Sequence, residues 1–205
     1  MRKSLAILLV LLLGVTLLIA LAGDKDKKSK EKPGEMSMGM PAMPKAELAK
    51  LDQFVGTWSG DEVMNFPGMP PNTKTKATIT GKKILGGMYV MSNYKGGWEG
   101  ADGKWVDFEG MSLTTYDATK GTYREWWFDS MSGSGSESKG KWLDDKTYYG
   151  ESSGDMGGQP FQQRSNTKII SPTKYTMKME WDMGQGWMTV MEGTYTKQAE
   201  KKASN

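Results

Sequence analysis

The sequence predicts an all-β protein: one antiparallel up-and-down barrel of about nine or ten short strands, preceded by a short helix. Three observations carry this. From Val55 onward apolar residues recur with period two, the signature of half-buried strands. Clusters such as Pro67-Gly68, Ala101-Asp102-Gly103, Asp144-Asp145, Gly157-Gly158 and Ser171-Pro172 interrupt the pattern at short intervals, as consecutive hairpins require. The best-defined strand puts Tyr175, Met177, Met179, Trp181 and Met183 on one face and Thr176, Lys178, Glu180 and Asp182 on the other. Sequential pairing with one wet face suits a closed barrel, which has no open edges; a β-sandwich is the alternative.

The elements follow in chain order. Ala46, Leu48, Ala49, Leu51 and Phe54 have helical spacing. Strands are expected from Val55, over Asn72–Thr80, and over Ile84–Tyr94 with a bend at Gly86-Gly87. Asp107–Tyr116, Gly121–Met131, Glu137–Trp142, Lys146–Glu151, Phe161–Ile170, Tyr175–Met183 and Trp187–Lys197 complete the set. Trp126 and Trp127 are adjacent and must point to opposite faces.

Ahead of this domain (46–197) lie two segments of different character. Arg2 and Lys3 precede an apolar run from Leu5 to Ala22, and Ala20-Leu21-Ala22 has the small-x-small pattern of a cleavage site. Residues 1–22 therefore read as a secretory signal peptide, with an uncleaved membrane anchor as the alternative because the run is long enough to span a bilayer. A periplasmic or secreted protein is expected, touching the membrane only if that segment is retained. Residues 23–45 are lysine-rich and then Met/Gly/Pro-rich, a composition that cannot bury a core and reads as a tether. Residues 198–205 form a polar tail.

Composition narrows the chemistry. The chain has no cysteine and no histidine. That excludes disulfides, thiolate or imidazole metal sites, and nucleophile–histidine machinery. The net charge of +3 gives no basic field for nucleic acid. Beyond Gly23, methionine outnumbers leucine and reads as flexible core filler. Met36, Met38, Met40 and Met43 are also a candidate thioether site for Cu(I), a soft-ligand metal.

Phe54-Val55-Gly56-Thr57-Trp58 resembles the Gly-x-Trp opening of the calycin barrels, the lipocalins and fatty-acid-binding proteins. Further on stand Leu85-Gly86-Gly87-Met88-Tyr89-Val90, Phe108-Glu109-Gly110, Tyr116-Asp117 with Lys120 and Tyr123, Trp127 with Asp129-Ser130, and Met191-Glu192-Gly193-Thr194-Tyr195-Thr196-Lys197. As an ordered set these resemble the bacterial family called domain of unknown function 1579, over Leu48 to Lys197. The resemblance implies a calycin-like barrel and no particular activity. It gives Gly56, Trp58 and Lys197 structural roles, with Trp58 packed beneath the helix. That family usually carries Arg where Lys197 stands; lysine offers a cation–π contact without the planar stack. Calycin-like haem barrels use a histidine ligand, so neither haem nor any other cofactor is expected.

The candidate ligand-binding residues are Met88, Tyr123, Trp127, Asp129, Met177, Met179 and Trp181. They would line an apolar, Met-rich interior with Asp129 near one end, if the strand at 121–131 turns Tyr123 and Trp127 inward; Trp126 and Phe128 form the rival inward set. On that face Glu125 would also point inside, with a carboxyl raised in pKa by desolvation. Asp129 has a plainer reading as a turn cap beside Ser130. Glu125 and Asp129 lie about 13 Å apart along a strand, beyond glycosidase separations. The favoured function is a non-catalytic exported barrel binding a small apolar or amphipathic molecule. The alternatives are a carboxylate-only enzyme acting on carbohydrate or lipid, and a structural or interaction protein with a filled barrel.

Overall fold

Lys45–Lys50 forms α1, one and a half turns long, and tightens into a 3-10 turn over Leu51–Phe54. Leu48 and Leu51 both face the same way and are buried, so this short piece is held by packing rather than by its own propensity. The computed structural model describes residues 43–199. The leader, all but the last residues of the tether, Met36, Met38, Met40 and the tail from residue 200 lie outside the described residues; Met43 is exposed. Among the described residues no helix is long and apolar enough to cross a membrane.

Ten strands follow: β1 (Gly56–Met64), β2 (Thr73–Ile84), β3 (Tyr89–Glu99), β4 (Trp105–Asp117), β5 (Thr122–Asp129), β6 (Ser136–Trp142), β7 (Thr147–Met156), β8 (Gln159–Ser171), β9 (Lys174–Asp182) and β10 (Trp187–Lys197). Each pairs antiparallel with its sequence neighbour, and β1 pairs with β10 to close the barrel. A closed barrel, not a sandwich, is therefore the architecture. One expected strand is corrected. Ile84–Tyr94 is not continuous: the chain reverses at Leu85–Gly87, joining β2 to β3. Leu85, Gly86 and Gly87 all have positive φ (49°, 67° and 87°), which turns the backbone back instead of bending it. Leu85 is apolar yet 73 % exposed, the price of occupying that turn.

Alternation sorts every strand into inward and outward sets. On β1 Trp58, Gly60, Glu62 and Met64 face in, while Asp61 pairs with Lys76 outside. On β9 Tyr175, Met177, Met179 and Trp181 face in. On β5 Tyr123, Glu125 and Trp127 face in; Phe128 is exposed, and Trp126 lies outside under the Arg124 guanidinium at 4.7 Å. A bulge between Thr189 and Met191 on β10 lets both Val190 and Met191 be buried.

The helical segment closes the end where β1 starts. Phe54 packs edge-on to Tyr148 and Tyr175, and Leu48 and Leu51 meet Val90, Tyr123 and Tyr148. The Tyr123 hydroxyl donates to the Glu47 backbone carbonyl at 3.0 Å and to its carboxylate at 2.9 Å, tying β5 to α1. Trp58 is 2 % exposed, and its indole N–H donates to the Phe54 carbonyl at 3.3 Å. The Lys197 ammonium lies 5.3 Å from the Trp58 ring centre, so the cation–π contact replaces the arginine stack. A side chain at Gly56 (φ 117°) would strike Lys197.

Candidate functional site

Glu62 lies on the inner face of β1 near its open end and is 2 % exposed. A carboxylate at such a place needs partners, because burial without them costs several kcal/mol. It has two. The Tyr94 hydroxyl donates to Oε2 at 2.7 Å, and the Tyr195 hydroxyl donates to Oε1 at 2.6 Å. Burial pushes the Glu62 carboxyl above its ordinary pKa, and the two hydroxyls partly offset this. Burial and the neighbouring Glu62 charge push both tyrosines up, so they stay neutral donors. Tyr195 stacks on Tyr175 at 4.6 Å, and Tyr175 meets Trp58 edge-on at 4.8 Å. Tyr195 lies flat over Gly60 and Gly193, where any Cβ would collide with its ring.

Glu125 is different. It is enclosed on the inner face of β5, and burial raises its pKa to about 7, with the Thr114 hydroxyl acting weakly the other way. No cation pairs with it among the described residues. Its register neighbours are Thr114 on β4 and Ser138 on β6. Although enclosed, Glu125 keeps some accessible surface. Gln163, Ser165, Met177 and Met179 keep inward surface in the same way.

The inner wall is two-sided. Ser138 faces Ser152 across β6–β7, and Ser152 faces Gln163 across β7–β8, which continues the hydroxyl row that starts at Thr114. Thr114, Ser138 and Ser152 are all small side chains. Opposite them, Met177, Met179 and Met191 cover β9 and β10, with Met64 on β1. The Met-rich face is thus one wall only. At the open end, Phe161 stacks on Trp181 at 4.4 Å, and Trp181 donates to Gln163 Oε1 at 2.8 Å. A cleft of about 350 Å³ opens at this mouth between Asn65, Pro67, Gln159, Met183, Gln185 and Met188.

The expected ligand residues do not meet at one point. Met88 ends the turn before β3 and packs with Tyr123 against the helical closure. Met177 and Met179 lie on the methionine wall. Trp127 stacks on Phe108 at 6.4 Å toward the mouth, over Gly110. Asp129 accepts from the Met131 and Ser132 backbone N–H groups at 2.9 and 2.6 Å and from the Trp127 indole at 3.1 Å. Burial pushes its pKa up, but these bonds outweigh burial and hold the carboxyl below its ordinary value. Asp129 is therefore engaged as a turn cap. Glu62, Tyr94 and Tyr195 are absent from the expected set. The signal was the β1 alternation itself, since Trp58 inward places Glu62 inward two steps later. Among the described residues no group of three or more acidic side chains is placed to hold a metal ion.

Glu125→Gln gives a direct check on this environment. The folded pKa of about 7 lies above the ordinary 4.5, so the folded state binds the proton more tightly than the unfolded chain. Stability from this group is full below about pH 4.5 and falls as pH rises through about 7. The loss is about 3 kcal/mol, at about 1.4 kcal/mol per pKa unit. Glu125→Gln should therefore raise denaturant stability at pH 8 by about that amount and change it little at pH 4.5. Equal effects at both pH values would contradict an enclosed, unpaired carboxyl.

The family model described as Protein of unknown function (DUF1579) matches residues 43–197. The chain belongs to this family. The DUF1579 barrel is similar to the crystal structure of Rv2717c from M. tuberculosis, with 14 % identity, a TM-score of 0.55, and 74 % of this chain and 97 % of that one covered. It is also similar to the S-type phycobiliprotein lyase CPES from Guillardia theta, with 9 % identity, a TM-score of 0.51, and 78 % and 100 % coverage. At such identities the likeness is one of fold. No curated protein matches this DUF1579 chain.

Proposed function

We propose that this protein binds a small amphipathic molecule inside its barrel, without catalysis, in an extracytoplasmic compartment. One observation carries the ligand reading: Glu125 is an enclosed carboxyl, without an ionic partner among the described residues, turned inward between a hydroxyl row and a methionine wall. Native interiors rarely leave such a group uncompensated, and a ligand supplies the compensation. Thioethers adapt to varied apolar shapes, which suits a permissive binder. The compartment rests on the leader-like residues 1–22. The phycobiliprotein lyase lends support through its fold alone.

A second reading has one observation in its favour. A carboxyl titrating near pH 7 is suited to general acid–base work, so a carboxylate-only enzyme is the rival. Small molecules carried through native purification, identified by mass spectrometry, separate the two: a binder returns what it carries unchanged after incubation, whereas an enzyme converts it.

An environment-sensitive apolar dye such as Nile red should bind the native protein. Met179→Trp should weaken that binding by at least about tenfold, about 1.4 kcal/mol, because the larger ring would lie in the space beside Ser165 and Met191. An unchanged dye affinity in a folded Met179→Trp protein would point instead to a filled barrel.

A further inference from the structure

We propose that the ligand is a cationic amphiphile, an ammonium group on an apolar body, which enters through an acidic mouth and seats its charge against Glu125. This rests on the reading that the interior binds a ligand, and names the chemical class.

Charge is distributed along the barrel axis. The strand ends and connections at the open end, residues 65–72, 99–104, 129–136, 155–159 and 182–187, carry Glu99, Asp102, Asp129, Asp155 and Asp182 against Lys104 alone. The connections at the closed end balance Lys120, Lys146 and Lys174 against Asp117, Asp144 and Asp145. A mouth of one sign over low-dielectric walls concentrates ligands of the opposite sign. Inside, the field keeps that sign. Glu62 and Glu125 face inward, and the inward-phase cations among the described residues are already placed at the closed end. Lys197 lies on Trp58, and Lys83 pairs with Asp52 at 2.5 Å. Arg164 points outward to Glu180 at 2.7 Å.

A carboxylate ligand would therefore meet an acidic mouth, then Glu125, with no cation to receive it. An ammonium meets the reverse. It passes the half-buried rings of Trp127 and Phe108, whose π-systems attract cations. It reaches Glu125, whose own side chain lacks an ionic partner, and can donate to the Thr114 and Ser138 hydroxyls beside it. From Asp129 at the mouth to Glu125 is about 13 Å along the strand, so the body trailing the ammonium needs a chain of medium length. The methionine wall receives that body.

The test is a matched series with one apolar body and three head groups: decylamine, decanol and decanoate, each below its micelle concentration, competing with Nile red. Decylamine should bind at least about tenfold more tightly than decanoate, with decanol between them. In Glu125→Gln the amine should fall to the affinity of the alcohol. Independently of any variant, wild-type affinity for decylamine should rise from pH 5.5 to 8 while decanol stays level. The groups that face Glu125 from β4, β6 and β7 are Thr114, Ser138 and Tyr148, and burial keeps the Tyr148 phenol neutral throughout. Equal binding of all three, tighter decanoate, or an amine preference that survives in Glu125→Gln overturns this proposal and leaves the binding cavity standing. Failure of every probe, Nile red included, overturns both.

Discussion

Trp58→Ala is expected to destabilise the domain by about 3–5 kcal/mol, the usual range for truncating a large buried aromatic. The ring is 2 % exposed and joins three things at once: Tyr175 edge-on at 4.8 Å, the Lys197 ammonium at 5.3 Å, and the Phe54 carbonyl through its N–H. None can shift easily into the gap. Tyr175 is already stacked on Tyr195, and Phe54 anchors the closing helix. For a domain of this size the loss corresponds to a fall of roughly 10 °C or more in Tm. A Trp58→Ala protein that melts within about two degrees of wild type would mean that the closing helix adds nothing to stability.

Glu62→Ala removes the acceptor of two tyrosines at once. Tyr94 and Tyr195 are 8 % and 0 % exposed, so neither hydroxyl can turn to water. Each orphaned donor costs about 1–3 kcal/mol, which puts the change at about 2–6 kcal/mol. Glu62→Gln keeps an acceptor and should cost much less. The control is Tyr94→Phe combined with Tyr195→Phe. With both donors removed, Glu62 is left buried without partners, and its pKa should climb further because burial then acts alone. In a double-mutant cycle, Glu62→Ala and Tyr195→Phe should couple strongly in chemical denaturation. Simple additivity would show that the Tyr195 hydrogen bond at 2.6 Å contributes nothing net.

Much of the barrel was legible because alternation is a local property. The β9 strand reads directly, since charged Lys178 and Glu180 alternate with Met177, Met179 and Trp181. Trp126 and Trp127 likewise had to diverge, and they do. The reversal at Leu85 was missed because an apolar residue beside two glycines reads as strand with a bend, whereas positive φ at all three turns the chain. Closure rests on β1 meeting β10, a pairing between distant segments that no local pattern encodes. The site was harder for the same reason. Glu62, Tyr94 and Tyr195 come from β1, β3 and β10, and only register brings one carboxylate between two hydroxyls. A glutamate in a strand is read as facing solvent, so its inward phase beside Trp58 went unused. Glu125 was read as an inward carboxyl, but its lack of an ionic partner appears only once its neighbours are placed. Asp129 carried both a cap and a ligand reading, and turn geometry decided where its oxygens are spent.

The seam between β1 and β10 has a kinetic meaning. Every other strand pair is a hairpin that can zip from its own turn, whereas this one must bring Trp58 to Lys197 across the full length of the barrel's chain. Three contacts fasten that seam: Lys197 over Trp58, Tyr195 over Gly60, and the Tyr195 hydroxyl on Glu62. Because the seam joins the most distant strands, its contacts are expected to complete last, after the sheet has curled. Interactions absent from the folding transition state act chiefly on the rate of unfolding. The Tyr195–Glu62 bond is therefore expected to govern how long the barrel stays shut more than how quickly it forms.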